Sequence, residues 1–391
     1  MRNLALLFVL PLILAACGKD DTSSIDKDLL SRYRSAIPSE SQLAAKKPQG
    51  TTTNAVGDPA TYPAAAGPMA IQINLAAVGI IQIMRAITDL DPTLYNSATQ
   101  EFLWGPWDNN DDFGTVAAYV KEQPAGSDFQ YVYALLRGVG NDVNTMKPVI
   151  WGAATPDPTN VDYGVGITLW DFEANFDFAK TNDPDFALKT FDRGRFVAVY
   201  STGDDPQNPG ARVAWDFSVF RNFIGKDKYV ASADPQVSGS DLDYLYGRYV
   251  GTDQNVLDFL SFEYAENIAD TPTDAKEDIS VQMAFLNSGW GRAEALAKNG
   301  DLVPPSSFVA TECWNTALKR TFLEYVYTDP SNVPTTYSEG TEQNCGPMFP
   351  DADNMLFSHT LAELGIPTVD DVDPDMRAAL ENVAENGMPQ Q

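Results

Sequence analysis

Histidine is almost absent from the sequence, because His359 is the only one among 391 residues. A catalytic triad, a Cys-His site or a histidine-bound metal would each have to be built on that one residue. The chain also contains no HExxH, P-loop, dinucleotide-binding or CxxC signature. We therefore predict no catalytic residue, no cofactor and no metal ligand.

Basic residues are scarce as well. Lysine and arginine together number 26 against 54 aspartates and glutamates, which gives a formal net charge of −28. Such a charge disfavours nucleic acid and anionic lipid headgroups as partners. The many carboxylates leave an exported, carboxylate-based hydrolase open as the least favoured function, since the sequence singles out no pair.

The N-terminal apolar run is too short to span a bilayer, which takes about 20 residues. It follows Arg2, covers residues 4–14 and ends at Ala15-Ala16-Cys17. Small residues directly before a cysteine are similar to a bacterial lipobox. We predict a signal peptide over residues 1–16 and a lipid-bearing Cys17; the alternative is an ordinary secretory signal with an incidental cysteine.

Only three cysteines are present. With Cys17 lipidated, Cys313 and Cys345 remain as an even pair in an oxidising compartment, and we expect a disulfide between them. A reactive or metal-binding thiol pair is the alternative, although no histidine lies near either one in the sequence.

Residues 17–67 are polar and rich in Ser, Thr, Ala and Pro, and we predict a flexible tether there. Residues 69–90 are apolar almost all round a helix, which predicts a buried helix. A second membrane anchor is the alternative, although Arg85 and several amides make it a poor one.

Runs in which apolar and polar residues alternate follow, at 113–121, 129–137, 166–178, 191–200, 213–219, 242–250, 257–265, 279–286 and 290–296. Residues 308–327 fit helix or strand, and we favour strand. No helical stretch long enough for crossovers separates these runs, so the sheet should be antiparallel. We predict a mainly β body over residues 68–346, a large curved antiparallel sheet or open barrel wrapped on one hydrophobic helix.

Two polar segments complete the organisation. Residues 347–391 form an acidic tail, with a short helix expected at 374–386. Residues 108–112, Asp-Asn-Asn-Asp-Asp, are dense in calcium-type oxygens but lack EF-hand spacing, so we favour a turn-forming cluster over a calcium site.

A resemblance rests on the lipobox together with Trp104-Gly105-Pro106, Gly300-Asp301-Leu302 and Glu312-Cys313-Trp314. These motifs resemble an uncharacterised group of bacterial lipoproteins, which implies an envelope protein with an antiparallel β body and no assigned activity. The predicted architecture is also similar to that of the periplasmic lipoprotein carriers, whose open barrels hold acyl chains.

Two functions stay open. The favoured one is a non-enzymatic structural or partner-binding lipoprotein, anchored in the bacterial cell envelope and expected at the outer membrane. The alternative is a protein that binds lipid or another apolar ligand between helix and sheet, with the candidate site residues Trp170, Phe172, Trp215 and Phe217.

Overall fold

The computed structural model of the protein describes residues 25–44, 47–50, 57–110, 112–160, 162–191, 195–203, 215–222, 229–230, 243–250, 256–268, 275–286 and 288–345. The predictions for the signal peptide, Cys17, His359 and the helix at residues 374–386 lie outside this part of the chain.

Four α-helices lie within the described residues: α1 Lys27–Arg34, α2 Glu40–Leu43, α3 Thr61–Thr88 and α4 Phe172–Asn182. The strands are β1 Leu94–Asn96, β2 Glu101–Asp108, β3 Thr115–Glu122, β4 Tyr131–Gly138, β5 Lys147–Pro156, β6 Gly164–Asp171, β7 Thr190–Phe191, β8 Arg195–Thr202, β9 Trp215–Asn222, β10 Tyr229–Val230, β11 Asp243–Val250, β12 Val256–Glu266, β13 Glu277–Leu286, β14 Gly291–Lys298, β15 Ser307–Trp314, β16 Arg320–Thr328 and β17 Pro334–Gly340.

Fifteen of these strands form one sheet, and β7 and β10 form a separate pair. The order in the large sheet is β1-β2-β3-β4-β5-β6-β8-β9-β11-β12-β13-β14-β15-β16-β17, and neighbours are antiparallel. The sheet is thus an up-and-down meander with β1 at one edge and β17 at the other. This confirms the predicted mainly β, antiparallel fold.

The sheet curves around α3. Residues from strands near both edges, including Trp104 on β2 and Trp314 on β15, share one buried cluster with Val78, Ile81 and Met84 of α3. We call the side of the sheet that carries these residues the inner face. One helix therefore provides the apolar surface on which the inner face packs.

The prediction of a helix at residues 69–90 is right in type but wrong in two respects. The helix begins earlier, at Thr61, and it is not buried all round. Ile81 is 1% exposed, whereas Leu75 is 68% and Ile83 is 45% exposed. The sequence could not distinguish these faces because both are apolar.

Residues 17–67 are not a flexible tether along their whole length, which corrects the predicted domain boundary. Helices α1 and α2 lie within this range, and Leu30, Tyr33, Ile37 and Leu43 are buried in the main core. The Asp26 side chain accepts a hydrogen bond from the Asp28 amide and caps α1.

The predicted strand over residues 166–178 is wrong in its second half. Strand β6 ends at Asp171, and α4 begins at Phe172. The Asp171 carboxylate accepts the Ala174 amide at 2.8 Å, which caps the helix, and Phe176 and Ala179 form its buried face. By contrast, residues 308–327 are strands as predicted, in the form of the hairpin β15–β16.

Large aromatic rings on the inner face lie over glycines directly opposite them. Tyr133 pairs with Gly152, and Tyr200 pairs with Gly166. A Cβ at either glycine would overlap the tyrosine ring opposite. The glycines therefore provide the space in which both rings lie flat on the sheet.

Substitution of Gly166 by alanine should cost about 1–3 kcal/mol of unfolding free energy, because the fully buried Tyr200 ring has no free space into which to move. Chemical denaturation measures this directly. Gly79→Ala on α3 is the matched control: nothing lies within 4 Å of its added Cβ, so the variant should gain up to about 1 kcal/mol. Equal stability of the two variants would contradict the proposed ring packing.

Ile81→Asp should unfold or aggregate the body, since it places a carboxylate in the core at a cost of several kcal/mol against a total stability of about 5–15. Ile83→Asp, two residues away on the exposed side, should change stability by no more than about 0.5 kcal/mol. Melting curves of both variants test the helix-in-sheet architecture. An unchanged midpoint for Ile81→Asp would overturn it.

Candidate functional site

The most distinctive site is the N-terminal end of α3, where a buried carboxylate from the sheet meets the helix. The Thr61 amide donates to Glu312 Oε1 and Oε2 at 2.9 and 2.8 Å, and the Tyr62 amide donates to Oε2 at 3.0 Å. Glu312 is fully buried. A negative charge here satisfies the free amides and opposes the positive end of the helix dipole.

Burial raises the pKa of Glu312, and the hydrogen bonds from Thr61 and Tyr62 offset this only in part. The chain just before the helix is also held: the Ala60 amide donates to the Leu318 carbonyl oxygen at 2.9 Å, and the Arg320 amide donates to Asp58 O at 2.9 Å. The start of α3 is therefore fixed to the β15–β16 hairpin by both side-chain and backbone contacts.

The other end of α3 is held by a cation. Arg34 donates from Nε to the Thr88 carbonyl oxygen at 2.6 Å, and from Nη2 to the carbonyl oxygens of Asp89 and Leu90 at 2.9 Å each. Trp104 Nε1 also donates to Leu90 O at 3.1 Å. A guanidinium at the carbonyl end of a helix is the favourable counterpart of Glu312 at the amide end.

The four predicted ligand-binding residues do not meet at one place. Trp170 is the penultimate residue of β6, lies on the inner face and is fully buried, and Phe172 is half-buried at the start of α4 against the same cluster. Trp215 and Phe217 lie on β9, and their side chains are outside the described set. The register aligns Phe217 with Ser201 and Val165, five positions along the strand from Trp170.

The full burial of Trp170 argues against a ligand cavity beside this side chain. A side chain that lines a ligand cavity keeps some surface accessible to a water-sized molecule, and Trp170 keeps none. Together with Tyr133, Tyr200 and Ile81 it packs in one continuous cluster of protein atoms. At this point helix and sheet fill each other, as protein interiors generally do.

The outward side of α3 carries an apolar stripe. Ile71 and Leu75 are exposed and, at a spacing of four residues, lie on adjacent turns; Ile83 is exposed about two turns further along the helix. Exposed apolar side chains grouped on a folded body are typical of interaction sites. This stripe, Ile71-Leu75-Ile83, was missed because a helix that is apolar almost all round was expected to be buried on every side.

One residue of the Asp-rich segment at 108–112, Asp112, belongs to an ion-pair network. Asp112 accepts from Lys189 Nζ at 2.6 Å and from Arg137 Nη2 at 2.9 Å, and the Phe113 amide also donates to it. Burial alone would raise the pKa of Asp112, but these partners hold it below its usual value. Both oxygens of Asp112 are therefore bound to cations of the protein itself.

No group of three or more metal-binding side chains occurs among the described residues. Arg137 of the same network lies over the Phe178 ring, 4.6 Å from its centroid, and joins β4 to α4. The network thus holds α4 against the sheet.

A disulfide joins Cys313 to Cys345, which supports the predicted pair. It packs with Phe322 in a small buried cluster separate from the main core. Cys313 directly follows Glu312, so the disulfide and the carboxylate that binds α3 lie on opposite faces of β15.

Sequence reasoning missed Glu312 and Arg34, the residues that hold the helix. Glu312 stood only inside the Glu312-Cys313-Trp314 motif, and Arg34 lay in the presumed tether. The available signal was a glutamate within an otherwise apolar strand, which needs a partner when it is buried.

Replacement of Glu312 should destabilise the body in a graded way. Glu312→Leu leaves two amides without an acceptor and should cost roughly 2 kcal/mol, whereas Glu312→Gln keeps one carbonyl oxygen and should cost less. Glu324→Leu is the control, because Glu324 points to the opposite face of the next strand. Urea denaturation gives the values; a loss for Glu324→Leu as large as that for Glu312→Leu would contradict this role.

The pH dependence has a definite sign. Because burial raises the pKa of Glu312 in the folded state, the native protein binds this proton more tightly than the unfolded chain, whose glutamate titrates near about 4.3. The wild type should therefore lose stability relative to Glu312→Gln as the pH rises from about 4 to 7. A stability difference that is constant across that range would argue against a buried carboxylate.

No helix in the described part of the chain has the length and apolar character needed to cross a membrane. Comparisons with protein-family models, with curated proteins and with solved structures each give no match for this chain.

Proposed function

We propose that the protein is a non-enzymatic lipoprotein of the bacterial cell envelope, anchored in the outer membrane by a lipidated Cys17. In this proposal the folded body is a structural or partner-binding platform. The lipobox-like segment ending at Cys17 supports the anchor, and a lipid with two or three acyl chains is enough for stable attachment.

The observation that carries the platform role is the full burial of Trp170 between helix and sheet. A carrier of acyl chains needs accessible apolar surface inside the body, and Trp170, the best-placed candidate, offers none. Helix α3 is also bound at both ends, by Glu312 and by Arg34, which favours a fixed interior over one that opens.

Three buried carboxylates, those of Glu277, Asp171 and Glu312, support a non-enzymatic role, because they bind backbone amides. Glu277 accepts from the amides of Ile268 and Asp301 at 2.8 and 2.9 Å. Asp171 caps α4, and Glu312 caps α3. Carboxylates held in this way stabilise turns and helix ends and are not poised as a general acid and base pair.

One observation favours the alternative of an apolar ligand. The exposed stripe Ile71-Leu75-Ile83 on α3 offers apolar surface that Trp170 does not. A lipid bound there would lie along the helix and not between helix and sheet. Such a lipid would co-purify with the protein.

Membrane attachment should depend on Cys17. We expect Cys17→Ser to be released or to remain unprocessed, because no second signal is available for stable anchoring. Gly18→Asp is the matched control: it keeps the cysteine and should stay lipidated, but an aspartate after the cysteine retains lipoproteins in the inner membrane of some bacteria. Cell fractionation with mass analysis distinguishes these outcomes, and a membrane-bound Cys17→Ser protein of normal mature mass would refute the anchor.

Native mass spectrometry of the purified protein separates the two functions. The platform role predicts a mass with no lipid beyond the acyl chains on Cys17, whether the protein is a monomer or a dimer. A stoichiometric extra lipid that Leu75→Asp removes would instead establish ligand binding at the stripe on α3.

A further inference from the structure

The two edges of the large sheet are built differently. Strand β1 has three residues, and Tyr95 at its centre stacks on Phe102 with ring centroids 4.3 Å apart. Strand β17 has seven residues, all of them exposed, and among the described residues it pairs with β16 alone. Short, covered edge strands are protected against pairing with other chains; β17 is longer than β1, and no described strand lies beyond it.

The composition of β17 also favours pairing. Its central residues, Thr335, Thr336 and Tyr337, are strong strand formers, and Glu339 is its only charge. Natural edge strands commonly carry lysines, central prolines or bulges that prevent addition of another strand. Here the one proline, Pro334, lies at the end of the strand.

The hydrogen-bond pattern shows which backbone groups face outward. The Asp329 amide donates to the Val333 carbonyl oxygen at 3.1 Å, so residues 329 and 333 form a hydrogen-bonded pair at the base of the β16–β17 hairpin. Because such pairs alternate along an antiparallel ladder, Tyr337 points its amide and carbonyl toward β16. Pro334, Thr336, Ser338 and Gly340 point theirs toward the free edge.

We propose that β17 is the interface of a two-fold symmetric homodimer, in which the β17 strands of two copies pair antiparallel with Tyr337 at the axis. This register sets Thr336 opposite Ser338 of the second copy and joins their outward amides and carbonyls in hydrogen-bonded pairs. It sets Pro334 opposite Gly340, so the missing proline amide costs one hydrogen bond at each end of the ladder.

The charges along β17 permit a second copy as the occupant. In this register Glu339 lies opposite Thr335 of the other copy, and no two like charges face each other along the seven residues. Glu339 also has a cationic neighbour on β16 of its own chain, since Arg320 Nη2 lies 3.5 Å from its carboxylate.

An aromatic row continues across the proposed axis. Phe308 and Tyr325 have ring centroids 5.1 Å apart, and Tyr325 and Tyr337 stack with centroids 6.3 Å apart. Tyr337 ends this row and is 59% exposed. At the two-fold axis it meets its own symmetry copy in a non-hydrogen-bonded pair, where side chains approach most closely, and each ring covers the other.

This inference rests on the proposed function in one respect: it names a second copy of the chain as the partner that the proposed platform binds. It does not depend on Cys17, because β17 pairs in the same way in an anchored or a released protein. A failure of the anchor appears in fractionation, and a failure of the dimer appears in cross-linking, so the two are distinguishable.

The test is oxidative cross-linking of the full chain in cell membranes and in the soluble fraction. Tyr337→Cys places a thiol opposite itself at a distance that a disulfide spans, and most of the protein should run at twice the monomer mass without reductant. Thr335→Cys, on the same face but two residues from the axis, lies well beyond disulfide reach of its copy and should form no cross-link. The unsubstituted chain, which dimerises without a covalent bond, should form none either.

A second variant probes the backbone directly. Ser338→Pro removes an amide that faces the free edge and leaves the ladder to β16 intact, so it should give a monomer with an unchanged melting midpoint. Ser338→Ala should remain a dimer by light scattering of the detergent-solubilised protein.

Three results would overturn the proposal. One is a Tyr337→Cys yield no higher than that of Thr335→Cys. Another is an adduct of Tyr337→Cys to a protein of different mass, which would make β17 the site of a foreign strand. The third is a wild type that is monomeric at micromolar concentration.

Discussion

The first amides and last carbonyls of α3 have no partners within the helix, and other elements of the fold supply hydrogen-bond partners at both ends. Glu312 of β15 binds the amide end, and Arg34 of α1 with Trp104 of β2 binds the carbonyl end. The two strands lie close to opposite edges of the sheet. The helix therefore connects the two sides of the sheet through both of its ends.

This arrangement explains how much of the fold could be predicted. Alternation identified most of the strands, because a strand with one buried face has a period of two regardless of its partners. It failed at residues 172–178, where aromatic residues suited both periods and the Asp171 cap decided for helix. It also gave no warning of α1, whose burial depends on a distant contact: Tyr33 donates to the Gln100 carbonyl oxygen at 3.0 Å.

The candidate site was harder to predict than the fold. Glu312 and Thr61 are far apart in the sequence, and a glutamate inside a strand gives no local sign of the amides that it will bind. The disulfide was predictable because only two cysteines were left to pair, a matter of counting and not of geometry. The exposed side of α3 could not be predicted at all, since Leu75 and Ile81 are chemically alike and only tertiary packing separates them.

The link between Glu312 and Thr61 spans 251 positions in the chain. During synthesis the helix emerges long before the strand that completes its N-terminal end, so the first amides of α3 lack their carboxylate partner until nearly all of the sheet has been made. Contacts of such separation make folding slow, because most of the chain must be ordered before they form. The last strands of the meander therefore decide when the first helix becomes stable, and a chain cut short before Glu312 would lack both the end of its core and the support of its beginning.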